Sequence, residues 1–351
     1  MKRIQVTASK NYEVLVGKGL LQELGVHIKK LTKANKIAIV SDSNVWPIYG
    51  EVAIKSLEDA GFSGTVSYVF PAGEESKNGE TYIALLNFLS TEKLTRSDCI
   101  VALGGGVVGD MTGFVAATYL RGIDYIQVPT TVLAAVDSSV GGKTAIDLPG
   151  GKNLVGAFYQ PKLVLCDIDT LNSLPEDIFR DGCAEIIKYG VLYDPQLFAH
   201  LQKHTMNFDR EAVIARCVEL KRDVVAADEF DRGERQKLNL GHTIGHSVEA
   251  NSHFTVSHGK AVAIGMAIVS RASVKQNICS ENTATAIKNI LCEFSLPTTT
   301  DDTAEEIFKG ALSDKKRSGN TVNLIVPVEL GNCIIHTVTT QELKTFIEAG
   351  L

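Results

Sequence analysis

The chain has 351 residues, a length that at about 150 residues per domain predicts two domains. With 44% hydrophobic and 22% charged residues, 30 Gly and 9 Pro, it can bury a full core without disulfide or metal staples, and a disordered or collagen-like chain is excluded. Thirty-five basic against 41 acidic residues give a net charge of −6, and the densest basic run is only Lys315-Lys316-Arg317. That excludes an electrostatic nucleic-acid footprint, though a few local cations and helix N-termini can still hold a small anion.

The first twenty residues alternate polar and apolar side chains as a strand does and show no signal-peptide apolar stretch. Lys36–Val40 is a buried-strand run ending at the turn-like Ser41-Asp42-Ser43-Asn44, and Ser67–Phe70 is a short strand closed by Pro71-Ala72-Gly73. Thr81–Thr91 has helical spacing, with Ile83, Leu86 and Leu89 on one face. Cys99–Leu103 is a strand that runs into Gly104-Gly105-Gly106, Val107–Leu120 a helix, and Tyr125–Val128 a strand halted at Pro129. Apolar strands alternating with helices predict a parallel sheet covered on both faces. Farther on, helices are expected over Asp181–Tyr193, Arg210–Ala227, Lys237–Asn251, Gly259–Gln276 and Glu281–Phe294, and a β-hairpin from Thr321–Val326 and Cys333–Val338. The expected division is residues 1–170, an α/β nucleotide-binding domain with a Rossmann-like parallel sheet, and 171–351, a mostly α-helical metal- and substrate-binding domain. The longest apolar runs, such as Ala261–Val269, are too short to span a bilayer. The seven cysteines are scattered and form no C-x-x-C, so a reducing, cytoplasmic setting is expected.

Several constellations carry chemistry. Gly104-Gly105-Gly106-Val107-Val108-Gly109 matches G-x-G-x-x-G between a strand and a helix, where glycines let a backbone approach a pyrophosphate at a helix N-terminus. The same glycines equally serve a tight turn with close helix–sheet packing. Asp42 and Asn44 follow the first strong strand, where a carboxylate reads a ribose, or where an Asx-turn caps the next helix. The run 137–144, DSSVGGKT, ends like a P-loop, but the required first glycine is Asp137, so that reading fails. What remains is a glycine-flexed loop with Asp137, Lys143, Lys152 and Asn153, suited to an anionic, hydroxyl-rich ligand or simply to solvent. His242 and His246 stand i, i+4 on one helix face, and His258 opens the next helix. Two such helices can present imidazoles to a zinc-like ion, with Glu185 a third donor, although Glu185 and Lys188 also fit an i, i+3 ion pair.

These motifs together resemble the 3-dehydroquinate synthase family over almost the whole chain. The resemblance rests on Pro71-Ala72-Gly73-Glu74 with Lys77, GGGVVGD at 104–110, RGIDYIQVPTT at 121–131, DSSVGGKT at 137–144 and GKN at 151–153. It continues in AEIIKYG at 184–190, NLGHTIGH at 239–246, HGKAVAIGM at 258–266 and DKK at 314–316. It implies NAD held by Asp42, Asn44, Glu74, Lys77, Gly105, Gly106, Asp110, Thr130 and Thr131, with Lys143 and Lys152 alongside. It implies zinc, or cobalt, on Glu185, His242 and His258, which leaves His246 as a substrate-site histidine. Substrate contacts implied are Asp137, Lys143, Lys152, Asn153, Lys188, Lys221, Arg235, Asn239 and one lysine of the Lys315–Lys316 pair, assigned to Lys316. Arg121 matches an arginine that the family inserts into a partner subunit's phosphate site, so a homodimer is implied. The implied activity converts 3-deoxy-D-arabino-heptulosonate 7-phosphate to 3-dehydroquinate and phosphate, with NAD reduced and reoxidised in each cycle. A glycerol- or glycerol-phosphate-type dehydrogenase and another sugar-phosphate cyclase are the alternatives. The sequence departs from the family pattern at Lys260, Asp147 and Ile178, where Glu, Asn and Glu are more usual.

Overall fold

The computed structural model describes residues 1–253, 255–313, 317–318 and 320–351. It forms two compact units, one of Met1–Leu174 with Arg210–Phe230, the other of Pro175–Asp209 with Asp231–Leu351. In chain order the first unit begins with β1 (Lys2–Val6), β2 (Tyr12–Gly17), α1 (Leu24–Leu31), β3 (Ile37–Asp42), α2 (Trp46–Asp59), β4 (Val66–Phe70) and α3 (Gly79–Thr91). It continues with β5 (Cys99–Gly104), α4 (Gly106–Thr118), β6 (Asp124–Pro129), β7 (Lys143–Leu148), β8 (Gly151–Phe158) and β9 (Leu163–Asp167). Then come α5 (Glu176–Leu192) and α6 (Pro195–His204) of the second unit and α7 (Arg210–Ala227) of the first. The second unit is completed by α8 (His242–Asn251), α9 (His258–Lys275), α10 (Glu281–Glu293), α11 (Ala304–Ser313), β10 (Arg317–Ser318), β11 (Thr321–Glu329), β12 (Asn332–Thr339) and α12 (Thr340–Gly350).

The expected single cut after residue 170 differs from this division, because α7 returns to the first unit. Its Val213, Ile214, Val218 and Val225 are buried there, and its Glu211 meets the Met1 amino group at 2.9 Å. Periodicity marks the apolar face of a helix but not the unit that face covers.

The main sheet has the order β1-β2-β9-β6-β5-β3-β4, with β1 antiparallel at one edge and the remaining pairs parallel. Period-2 alternation sends Ile37, Ile39, Val101 and Leu103 into one core with Leu24 and Ile28 of α1 and Ala53 and Leu57 of α2. It sends Ala38, Val40, Ile100 and Ala102 into the other core with Leu85 and Leu89 of α3 and Val108, Met111 and Val115 of α4. Burying each such Leu, Ile or Val removes enough apolar area to favour folding by about 1.5–3 kcal/mol. The helices after β3 and β5 therefore leave toward opposite faces, and the strand order reverses between these neighbours. A crevice opens at such a switch point, beyond the C-terminal ends of the strands.

In the second unit α9 is buried on nearly every side, from Gly259 to Ser273, as a central helix must be. The hairpin expected near the end is present as β11–β12, and β10 adds a short third strand. Pro327, paired with Cys333, lies beyond the stretch of β11 that pairs with β10 and next to a register shift, the kind of irregular position where a strand accommodates proline. One expectation needs correction: the helix predicted over Lys237–Asn251 is broken. Glu234–Asn239 forms a 3-10 turn, and α8 starts only at His242. Gly241 between them takes φ +80°, and a Cβ there would lie 2.6 Å from the Val262 carbonyl oxygen of α9. The break is the close approach that lets α8 and α9 pack.

Candidate active site

In the first unit Asp42, Gly105, Gly106, Thr130 and Thr131 lie at or just beyond the C-terminal ends of β3, β5 and β6. Ser41 of β3 pairs with Leu103 of β5, so Asp42 and the glycine turn emerge side by side. Asp42 Oδ1 accepts the backbone N–H groups of Asn44 and Val45 at 2.8 and 2.9 Å, so the Asx-turn alternative is realised at that oxygen. Gly105 and Gly106 lead into the 13-residue α4. The packing reading of the glycines is visible in what surrounds them. A Cβ at Gly109 would stand 2.7 Å from Gln127 Oε1, the signature of close helix–sheet packing, whereas at Gly105 it would come within 3.1 Å of Thr131 Cγ2. The Thr130 backbone N–H donates to the Gly104 carbonyl at 3.0 Å, and its Oγ1 is buried without a hydrogen-bond partner. An orphaned hydroxyl beside a glycine turn at a helix N-terminus fits a phosphate-bearing ligand.

Farther along this unit, the Lys77 ammonium, 4% exposed, donates to Asp110 Oδ2 and to Asn153 Oδ1, each at 2.7 Å. Burial disfavours that ammonium, but Asp110 and Glu74 outweigh it and raise the Lys77 pKa above the ordinary value. Lys152 Nζ stands 3.4 Å from Glu74 Oε1. Asn153, in the left-handed region at φ +54°, is held by its backbone N–H, which donates to Asp147 Oδ1 at 2.7 Å. Asp147 is thus a structural acceptor in the β7–β8 turn, a role an Asn could also fill. Lys221 of α7 donates to the Asp137 carbonyl at 2.6 Å and pairs with its carboxylate. Lys143 begins β7 with its side chain exposed. Arg121 lies exposed in the turn after α4, with φ +66° following Leu120 at φ +51°.

The second unit holds the donor cluster. Glu185 sits on α5, and α8 and α9 each open with a histidine, His242 and His258. One donor atom of each of the three lies within 4.8 Å of the others. Glu185 Oε1 is 3.5 Å from His242 Nε2 and 3.4 Å from His258 Nε2. Two ligands of a tetrahedral ion with bonds of about 2.1 Å stand about 3.4 Å apart, so these separations suit a metal. His242 Nδ1 lies 3.1 Å from the Leu240 carbonyl, which as an acceptor fixes the proton on Nδ1 and leaves the Nε2 lone pair facing the cluster. The Lys188 ammonium pairs with Glu185 Oε2, both side chains 1% exposed, which leaves Oε1 to the histidines. The ion-pair alternative and the metal-donor geometry therefore coexist on the two oxygens. With no metal on Nε2, burial works against the His258 imidazolium, but Glu185 and Glu249 outweigh it and raise its pKa to about 10; a metal would have to displace the Nε2 proton.

His246 belongs to a second donor group, with Glu249 and His258. Glu249 was not picked out from the sequence, although 242, 246 and 249 share the i, i+4, i+7 stripe of one helix. Arg235 is buried in the turn before α8, where Asn239 Nδ2 donates to the Gln236 carbonyl at 2.9 Å. Ile178 is exposed on the first turns of α5, and Lys316, with Lys315, lies outside the described residues.

The same architecture occurs in known proteins. A crystal structure of 2-deoxy-scyllo-inosose synthase, complexed with carbaglucose-6-phosphate, NAD+ and Co2+, matches with a TM-score of 0.90 at 25% identity over 100% of both chains. The fold class is therefore that of the dehydroquinate synthase-like proteins, an α/β unit joined to a helical one. Residues 67–181 match the model of the 3-dehydroquinate synthase N-terminal domain, and residues 182–317 that of the C-terminal domain. A 3-dehydroquinate synthase of Clostridium acetobutylicum is 43% identical over 354 aligned positions, covering 99% of each chain. One of Streptococcus suis is 42% identical over 344, covering 96% of this chain and 97% of its own. The chain belongs to the 3-dehydroquinate synthase family. Both of these relatives are 3-dehydroquinate synthases, so neither the dehydrogenase nor the other-cyclase alternative is favoured.

Proposed function

We propose that this member of the family converts 3-deoxy-D-arabino-heptulosonate 7-phosphate to 3-dehydroquinate and phosphate as an NAD- and metal-dependent lyase. The observation that carries the reading is the convergence of Glu185, His242 and His258 at tetrahedral-ligand separations, in a chain of this family. In the first unit, Asp42, Asn44, Glu74, Lys77, Gly105, Gly106, Asp110, Thr130 and Thr131 form the NAD site. In the second, Glu185, His242 and His258 hold zinc, or cobalt. When bound, the metal supplies Lewis-acid polarisation of substrate hydroxyls, and NAD supplies a hydride acceptor regenerated in each turnover.

The remaining work falls to side chains. Lys143, Lys152 and Arg235 are the cations assigned to offset the charge of the substrate phosphate as it departs. Asp137 and Lys221, already paired, and Asn153 are acceptor and donors for ring hydroxyls. Lys188, Asn239 and His246 are further residues assigned to the substrate, with His246, half-buried, holding or moving a proton. Lys316 is assigned to the same set by its motif. Arg121, exposed on its turn, serves the phosphate site of a second copy of the chain in a homodimer. Among the described residues no helix is long and apolar enough to cross a membrane. Scattered cysteines without a C-x-x-C suit a reducing, cytoplasmic setting.

The test follows inorganic phosphate and NADH absorbance together, using purified protein, zinc, the heptulosonate phosphate and sub-stoichiometric NAD. Many phosphates released per NAD with no lasting NADH is the expected result. Stoichiometric NADH without phosphate would establish a simple dehydrogenase instead.

A further inference from the structure

The α8 stripe continues past its two histidines to Glu249, whose side chain is 6% exposed and whose Oε2 lies 3.5 Å from His258 Nδ1. The other nitrogen of that ring, Nε2, faces Glu185 Oε1 at 3.4 Å. Two carboxylates, one facing each nitrogen, fix the ring plane, and once a metal takes Nε2 the single remaining proton must sit on Nδ1, facing Glu249. A proton on Nδ1 shared with Glu249 leaves the Nε2 lone pair directed at the cluster. This is the arrangement that His242 achieves differently, through the Leu240 carbonyl. The two histidines thus use two different outer acceptors, one neutral and one anionic.

We propose that Glu249 is the positioning residue for His258: its carboxylate accepts the Nδ1–H, orients the ring and raises the basicity of Nε2 toward the metal. Charge distinguishes this from the His242 arrangement. An anionic acceptor makes the imidazole a stronger donor than a neutral carbonyl does, and Glu249 is buried, so water does not substitute for it. The inference rests on the reading of Glu185, His242 and His258 as metal ligands, and it deepens that reading by one shell. The second grouping of donors, His246 with Glu249 and His258, offers a rival role for Glu249 as a ligand itself.

The experiment compares the full chain with Glu249→Ala, Glu249→Gln and His242→Ala, measuring zinc dissociation by chelator competition and, on the zinc-loaded protein, the nitrogen and Nδ1–H resonances of the His258 ring. Glu249→Ala is expected to weaken zinc binding about 10–100-fold, the usual cost of losing an outer-shell acceptor. Glu249→Gln, which keeps an acceptor of the same shape without the charge, is expected to fall between Ala and the natural residue. Its His258 ring should keep the Nδ1–H tautomer with a shifted proton resonance. Zinc affinity of Glu249→Ala within twofold of the natural chain, with His242→Ala losing the metal, would overturn the proposal and leave the ligand assignment intact. Glu249→Gln losing zinc as completely as His242→Ala would overturn it in favour of Glu249 as a ligand. Zinc that binds the natural chain and His242→Ala equally would instead remove the ligand assignment on which the proposal stands. The Gln variant keeps the test open should the Ala variant not fold.

Discussion

Asp181 accepts the backbone N–H of Lys260 at 2.9 Å, and so ties α5 to the first turn of α9. The Ser257 hydroxyl donates to the same carboxylate oxygen, and a Cβ at Gly259 would fall 1.9 Å from the Asp181 carbonyl oxygen. Asp181 and Glu185 are one turn apart on α5, so the residue that caps α9 and the residue that meets His258 share a helix face. Because the bond is made by the Lys260 backbone, it does not depend on the side chain at that position.

Asp181→Ala should lower folding stability by about 0.5–2 kcal/mol, the cost of a lost N-cap, and weaken zinc binding by freeing the start of α9. Asp181→Asn, which keeps an acceptor, should lose less of both. Thermal unfolding of the metal-free protein and chelator competition read the two effects separately. An Ala variant that unfolds like the natural chain and keeps its zinc would contradict the role given to this cap.

Gly113 lies where α4 crosses β7, and a Cβ there would stand 2.4 Å from Thr144 Cγ2 and 3.1 Å from the Tyr125 hydroxyl. Although Ala is the better helix former, Gly113→Ala should destabilise by about 1–3 kcal/mol, because overpacking outweighs the backbone entropy gained. Urea unfolding would show a lower midpoint at unchanged slope. A higher midpoint would mean that α4 and β7 can separate without cost.

Burial pushes the Asp147 carboxyl up, although the Asn153 N–H and the Lys77 and Lys152 ammoniums pull it back down. A carboxyl whose pKa is raised by folding binds more protons in the folded state, so its contribution is most favourable below the unfolded value of about 3.9 and is lost as pH rises through the folded value. Asp147→Asn, which keeps an acceptor for the Asn153 N–H, should therefore be at least as stable as the natural chain at pH 7. That advantage should vanish below about pH 4. Unfolding free energies measured across pH 3–7, a range chosen around that reference value, would show this convergence, and a variant less stable at every pH would refute it.

Arg121→Ala should fold normally, since the side chain is exposed, and should lose turnover if the arginine serves a partner's phosphate site. Mixed with His242→Ala, it should regain roughly a quarter of the natural activity, because half of random dimers are mixed and each contains one complete site. No recovery after subunit exchange would place Arg121 in the site of its own chain, or outside any site.

Much of this protein is legible in the sequence because its signals are local. The apolar runs of β3, β5 and β6, the 3.6-residue spacing of α7, which coincides with the expected Arg210–Ala227, and the glycines after β5 all report on neighbours along the chain. The histidines at 242 and 246 were visible for the same reason. Spacing alone nevertheless pairs those two, whereas the geometry gathers His242 with His258 and Glu185, and His246 with His258 and Glu249. Which donors share a centre depends on how α5, α8 and α9 cross, and that is fixed by close approaches such as Gly241 against Val262 and Gly259 against Asp181. The unit joined by α7 and the carboxylate behind His258 were likewise decided by tertiary contact. Sequence sets which face of an element is apolar or charged; only packing sets what that face meets, because the partner lies tens of residues away and is chosen by shape.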